Sequence, residues 1–146
     1  MDTIEQNLKA SDVLKQIFGF SSFRNGQEEI VKNILDGKQT LAIMPTGAGK
    51  SLCYQIPAIV SEKKTVVISP LISLIENQVA DLRENGVKVE KLHSNQTSQN
   101  RATSWDNFKN GECKILYISP ERLMTESMIN DLKQLEIDLF VVDEIH

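Results

Sequence analysis

Four short apolar runs limit what this chain can fold into: residues 40–44 (TLAIM), 65–69 (TVVIS), 114–119 (KILYIS) and 137–142 (IDLFVV). Each is apolar nearly throughout rather than alternating with polar residues, the pattern of a strand covered on both faces. The stretches between them carry helical spacing and helix stops. Residues 27–36 place Ile30, Val31, Ile34 and Leu35 on one face, with Gly37 as the stop. A shorter helix is expected at 11–18, capped by Ser11 and closed by Gly19. Another begins near Lys50, where Pro57 is expected to end or kink it. Further helices are expected from Pro70 through about Asn85, stopped by Gly86, and over 98–110, stopped by Gly111. Residues 87–92 read as a further strand, and Pro120 opens a helix at its favoured first position.

Apolar strands separated by helices indicate βαβ units: an α/β fold, with a parallel sheet and helices on both faces. In such sheets ligands bind at the carboxyl ends of the strands. Four segments here place polar, Gly or Pro residues directly after a strand: MPTGAGKS, SPLIS, SPERL and DEIH. All four are expected to converge on one edge. With 146 residues, 40% of them hydrophobic, the chain can bury a core without disulfides or metal, as one domain. Cys53 and Cys113 are far apart and form no metal-binding pattern. The opening MDTIEQ lacks the basic and apolar regions of a secretory signal, and no apolar run approaches the roughly 20 residues of a membrane span. A cytosolic, reducing environment is therefore expected. A net charge of −4 gives no support for nucleic-acid binding.

The strongest local signal is Met44-Pro45-Thr46-Gly47-Ala48-Gly49-Lys50-Ser51. Gly47 and Gly49 allow the backbone to curl so that successive N–H groups face one anion, and the following helix adds its positive N-terminus. In that arrangement Lys50 reaches the β- and γ-phosphates and the Ser51 hydroxyl ligates Mg²⁺. Met44 stands where the strict phosphate-loop pattern has its first glycine. The second signal is Val141-Val142-Asp143-Glu144. An aspartate after an apolar strand suits a metal held opposite Ser51, and Glu144 suits a base for the attacking water. Alone, such an acidic pair is usually a helix cap or a solvated loop. With the phosphate loop upstream, the pair indicates a nucleotide-hydrolysing core.

Taken together these segments resemble the first half of the helicase core of RecQ-type DNA helicases, in superfamily 2. MPTGAGKSLCYQIPA is similar to that family's phosphate loop and the helix after it. VVISPLISLIENQV and KILYISPERLM resemble its next two motifs, and VVDEIH its DExH box. FGFSSFRNGQEEI resembles the adenine-reading segment upstream. The five motifs keep the family's order over about residues 13–146.

The resemblance implies a RecA-like P-loop NTPase fold, truncated here after the DExH strand, with residues 1–24 as an N-terminal helical and adenine-reading segment and 25–146 as a partial first lobe. It implies ATP and Mg²⁺ as ligands. Gln27 would hydrogen-bond the adenine edge, Arg24 would lie beside the base, and Phe20 would stack on it. For Phe20 and Phe23, core packing is the competing reading. Thr46, Gly47, Ala48, Gly49, Lys50 and Ser51 would bind the phosphates, with Ser51 and Asp143 holding Mg²⁺. Lys50, Asp143 and Glu144 would be the catalytic set, and His146 would couple the nucleotide site to a DNA-responsive loop. Ala48 and Ile145 depart from the family pattern, the latter adding bulk beside His146.

Ser69, Ser119 and Arg122 would be DNA-backbone contacts, with helix capping as the alternative for each serine. His93 reads as a surface or strand-end residue and Trp105 as an amphipathic-helix anchor. The partners implied are single-stranded or forked DNA and a second RecA-like lobe that supplies the arginine finger, so residues 1–146 alone are expected not to unwind DNA. The location implied is cytoplasmic, at the nucleoid in a bacterium or the nucleus in a eukaryote. A non-hydrolysing nucleotide-binding module is the alternative. A nucleotide kinase or GTPase leaves SPLISLIENQ and SPERLM unexplained, and no guanine-reading NKxD is present.

Overall fold

The computed structural model describes residues 3–37, 39–45, 50–61 and 63–144. The described chain runs α1 (Thr3–Gln16), α2 (Gln27–Asp36), β1 (Thr40–Pro45), α3 (Leu52–Ser61), β2 (Thr65–Ile68), α4 (Ile72–Glu84), β3 (Val89–Leu92), α5 (Ser98–Lys109), β4 (Ile115–Ile118), α6 (Pro120–Leu123), α7 (Glu126–Lys133) and β5 (Leu139–Glu144). The strands form one sheet in the order β1-β5-β2-β4-β3, and every neighbouring pair is parallel. Parallel neighbours need crossover connections, which is why a helix separates each strand from the next.

Side chains alternate between the two faces of the sheet. Val67, Tyr117, Leu139 and Val141 pack on one side against Ile34 of α2, Tyr54 and Ala58 of α3, and Ile75, Val79 and Leu82 of α4. Val66, Leu92, Leu116 and Ile118 pack on the other against Phe108 of α5 and Met128 and Leu132 of α7. A third cluster joins Ala10 and Leu14 of α1 to Val31 and Leu35 of α2 and Leu52, Ile56 and Val60 of α3. Burying an aliphatic side chain of this size contributes about 1.5–3 kcal/mol. Helices thus lie on both faces, as the apolar runs require.

Three elements differ from the sequence reading. The first helix starts at Thr3 and ends at Gln16 rather than spanning 11–18, so Ser11 lies inside it and does not cap it. Ala10 and Leu14, one turn apart and both buried, show that the core-facing stripe already exists upstream of Ser11. Pro57 does not end α3, which continues to Ser61. The proline removes one donor, but nearly the whole helix is buried, and packing holds it past the lost bond. The segment after Pro120 breaks into α6 and α7 at Thr125, whose hydroxyl donates to the Arg122 carbonyl at 2.9 Å and closes the first helix. Gly86 and Gly111 act as the expected stops, at φ of 82° and 84°.

Candidate functional site

The parallel register sets the chemistry-bearing residues in one row. Ile43, Val142, Ile68, Ile118 and Leu92 lie level across the sheet. One residue further toward the carboxyl edge come Met44, Asp143, Ser69, Ser119 and His93. Asp143, Ser69, Ser119 and His93 are buried polar residues, although they stand at the rim of the sheet. Pro45 lies opposite Glu144, so the strand leading into the glycine-rich segment and the strand carrying the acidic pair finish side by side.

Lys50 and Ser51 form the turn into α3, where the Cys53 N–H donates to the Lys50 carbonyl at 3.1 Å and the Gln55 N–H to the Ser51 carbonyl at 3.0 Å. Lys50 is exposed and Ser51 half-buried. Thr46, Gly47, Ala48, Gly49 and His146 lie outside the described residues, and Glu144 is described as a strand position only. Burial pushes the Asp143 carboxyl above its ordinary value. A nearby cation would relieve that desolvation, and a carboxylate with a serine hydroxyl is the hard oxygen set that suits Mg²⁺. Both residues therefore fit the metal implied by the motif. Burial raises the thiols of both Cys53 and Cys113, Cys113 to about 11, which leaves them unreactive.

Upstream of α2, a reciprocal pair closes the turn: the Gln27 N–H donates to the Arg24 carbonyl at 3.1 Å, and the Arg24 N–H donates to Gln27 Oε1 at 2.7 Å. Gln27 is buried while Arg24 is exposed. The two aromatic residues divide their roles. Phe23 is half-buried against the cluster formed by α1, α2 and α3. Phe20 is 45% exposed, as a residue offering its ring to a ligand would be. Gly19 at φ 75° makes the turn between Phe20 and α1. Leu52 at the start of α3 shares its cluster with Val31 and Leu35, so this segment and the phosphate-side helix belong to one packed body.

On the other side of the row, the Ser69 hydroxyl is buried and has no hydrogen-bond partner among the described residues. Helix α4 begins just beyond it, and Leu71 at its N-cap supplies no side-chain cap. The Leu74 N–H closes the first turn on the Leu71 carbonyl at 3.1 Å, and no side chain among the described residues caps the N–H groups before it. Ser119 caps α6, accepting from the Arg122 N–H at 3.4 Å. Arg122 is half-buried, and its buried Nε has no partner among the described residues.

His93 is the residue the sequence reading placed too far out. It follows β3 directly, as a strand-end residue would, but only 2% of it is exposed. The Asn95 N–H donates to its Nδ1 at 3.2 Å, which leaves the proton on Nε2 facing Glu76 Oε1 at 2.6 Å. Lys91 donates to the second oxygen of Glu76, and that bond is the main cause that lowers the Glu76 carboxyl, assisted by His93. Gln96 ties the loop by accepting from the His93 N–H at 2.9 Å and donating to the Lys91 carbonyl at 3.1 Å. The available signal was positional: His93 stands after its strand as Ser69 and Ser119 stand after theirs. Trp105 packs half-buried against the cluster that holds Phe108, Leu116 and Leu132, its ring 6.1 Å from that of Phe108.

Residues 24–146 match the DEAD/DEAH box helicase family. The chain is 46% identical over 137 residues to the ATP-dependent DNA helicase RecQ of Pasteurella multocida, covering 94% of this chain and 22% of that protein. It is 42% identical over 139 residues to the ATP-dependent DNA helicase RecQ of Bacillus subtilis, covering 94% of this chain and 24% of that one. The chain thus spans about a quarter or less of the length of these relatives. Among solved structures, a hypothetical ATP-dependent RNA helicase from Sulfolobus tokodaii superposes with a TM-score of 0.61 at 15% identity, covering 96% of this chain and 50% of that one. That likeness bears on the fold, which is RecA-like. No helix among the described residues is long and apolar enough to cross a membrane.

Proposed function

Because the chain belongs to the DEAD/DEAH box helicase family, we propose that it is the ATP-binding part of an ATP-dependent DNA helicase of RecQ type, whose complete form couples Mg-ATP hydrolysis to 3′-to-5′ strand separation. One observation carries this reading most directly. The register sets Pro45 opposite Glu144, which supports a site in which the strand that leads to Lys50 and Ser51 ends beside the one carrying Asp143, as phosphoryl transfer to water requires.

Gln27 and Arg24 read the adenine, and the exposed Phe20 ring stacks on it. Thr46, Gly47, Ala48 and Gly49 wrap the phosphates with their backbone N–H groups, and Lys50 compensates the β- and γ-oxygens. Ser51 and Asp143 hold Mg²⁺, which when bound neutralises charge developing on the phosphate oxygens. Glu144 orients the attacking water and accepts its proton. His146 lies beyond the acidic pair, where a change at the γ-phosphate is passed on.

The DNA backbone fits the other half of the row. The Ser69 hydroxyl and the Arg122 Nε, both without a partner among the described residues, and the start of α4, which no side chain caps, offer donors to a phosphodiester without a basic excess. Ser119 serves by capping the turn that holds Arg122. Residues 1–24 and 25–146 are then the adenine-reading segment and part of the first lobe, with a second RecA-like lobe as intramolecular partner.

Titration of the 146-residue chain with Mg-ATP tests the nucleotide site. Wild type should bind, and Lys50→Ala should lose binding while its circular dichroism spectrum and unfolding midpoint stay as in wild type, because Lys50 is exposed. Unchanged affinity in Lys50→Ala would refute the site.

A further inference from the structure

Behind Ser51 lies a sequence of buried and half-buried polar side chains that nucleotide binding by itself does not use. Gln55 Nε2 donates to the Tyr117 hydroxyl at 2.8 Å, and the Tyr54 hydroxyl donates to Gln78 Oε1 at 2.9 Å. The two phenol oxygens lie 3.3 Å apart. Each phenol carries one proton. Since Tyr54 gives its proton to Gln78, the hydrogen between the two rings belongs to Tyr117. The four groups therefore form one directed relay, from Gln55 through Tyr117 and Tyr54 to Gln78. Burial pushes Tyr117 up to about 12 and Tyr54 well above its ordinary range, so both hydroxyls keep their protons. In such an apolar setting each bond polarises the next.

One end of the relay lies beside the Ser51 turn and the other on the helix that follows Ser69. Gln55 lies one helical turn after Ser51 and bonds to its carbonyl at 3.0 Å. Ser51, Gln55 and Gln78 line one cleft of about 250 Å³ between α3 and α4. Gln78 belongs to α4, the helix that starts just beyond Ser69. Tyr117 stands two residues before Ser119, whose hydroxyl caps the helix carrying Arg122. A phenylalanine ring would fill the core at 117 equally well, so the hydroxyl is not there to bury area. Apolar contacts let helices slide, whereas hydrogen bonds fix direction and distance. A shift of the first turn of α3 therefore acts on α4 and on β4 together.

We propose that the Tyr117 hydroxyl is a positioning group that couples the nucleotide end of α3 to α4 and to the turn after β4, so that occupancy at Lys50 and Ser51 changes the order of the segments bearing Ser69 and Arg122. This rests on the nucleotide reading above and adds the route by which that site acts at a distance.

Amide hydrogen exchange of the 146-residue chain, with and without saturating Mg-ATP, tests the route. In wild type, Mg-ATP should slow exchange at residues 50–61 and also, by about fivefold or more, at 72–84 and 119–125. In Tyr117→Phe the slowing at 50–61 should persist while the distant slowing falls below about twofold. A merely structural hydroxyl would instead raise exchange across the core of the nucleotide-free protein and leave the distant ATP-dependent difference in place; that pattern overturns the proposal. Gln78→Met cuts the relay at a half-buried site that spares the fold. It should abolish the slowing at 72–84 and retain that at 119–125, and slowing at 72–84 as large as in wild type would also overturn the proposal. No slowing at 50–61 in wild type, with no binding in a direct Mg-ATP titration, removes the nucleotide site and this inference with it.

Discussion

Glu76 and His93 meet at 2.6 Å with unequal exposure: the histidine side chain is 2% accessible and the carboxylate 42%. Since Asn95 occupies Nδ1, the Nε2–H depends on Glu76 as its acceptor. Glu76→Ala would strand that donor in the interior and should cost about 1–3 kcal/mol. Glu76→Gln retains an acceptor and gives up only the charge of the part-buried pair with Lys91, a loss of about 1 kcal/mol. Urea unfolding separates the two, and equal losses would show that the histidine does not need the carboxylate. The pH dependence follows from the direction of the shift. The Glu76 carboxyl is held below its ordinary 4.5, so its contribution is whole above that value and fades as pH falls through the lowered one. Glu76→Gln should therefore show a shallower loss of stability in acid.

Asp143 has the opposite sign. Burial raises its carboxyl above the ordinary 3.8, so the folded state disfavours the charge at neutral pH. That penalty lessens as pH falls through the raised value and is gone below 3.8. Asp143→Asn should therefore raise the thermal midpoint at neutral pH while weakening Mg²⁺-dependent nucleotide binding by about tenfold to a hundredfold. A lowered midpoint with Mg²⁺ dependence intact would contradict both halves.

Gln27 joins the adenine reading to local structure, because its Oε1 already accepts from the Arg24 N–H at 2.7 Å. Gln27→Ala should lower the preference for ATP over GTP by about tenfold, the worth of one hydrogen bond lost inside a site. Competition titrations with both nucleotides measure the ratio, and an unaltered ratio would count against the adenine role.

These sites were legible to different degrees, for physical reasons. Val66, Val67, Leu116 and Tyr117 could be read as buried strand positions because an uninterrupted apolar run needs cover on both faces. Ser119 followed by Pro120 announced a cap and a first helical position, and both are found there. The sheet order was not legible. β5, last in the chain, lies between β1 and β2, a non-local choice made by packing. The inward turn of His93 was equally hidden, since its partner Glu76 lies on another element, 17 residues away. The relay through Tyr54 and Tyr117 joins residues 63 apart, and the local sequence marks both only as aromatic core.

The two edges of the sheet are finished differently, and this yields the last prediction. On β3, Arg83 covers the outward Val89 carbonyl with Nε at 3.2 Å and Nη2 at 2.9 Å and also pairs with Glu90, while Gln96 covers the Lys91 carbonyl. Side chains so placed leave no template for a further strand. On β1, Leu41 and Ile43 are 65% and 57% exposed. They share the face of Phe140 and Val142, their register partners. An exposed apolar edge strand is where chains of this kind associate. Leu41→Lys combined with Ile43→Thr should lower concentration-dependent light scattering of the 146-residue chain and shift stability by no more than about 0.5 kcal/mol per site, since neither residue is buried. Arg83→Ala should cost about 1 kcal/mol through the uncovered carbonyl and leave scattering governed by β1. Scattering that rises with Arg83→Ala and ignores the β1 changes would place the sticky edge at β3 instead.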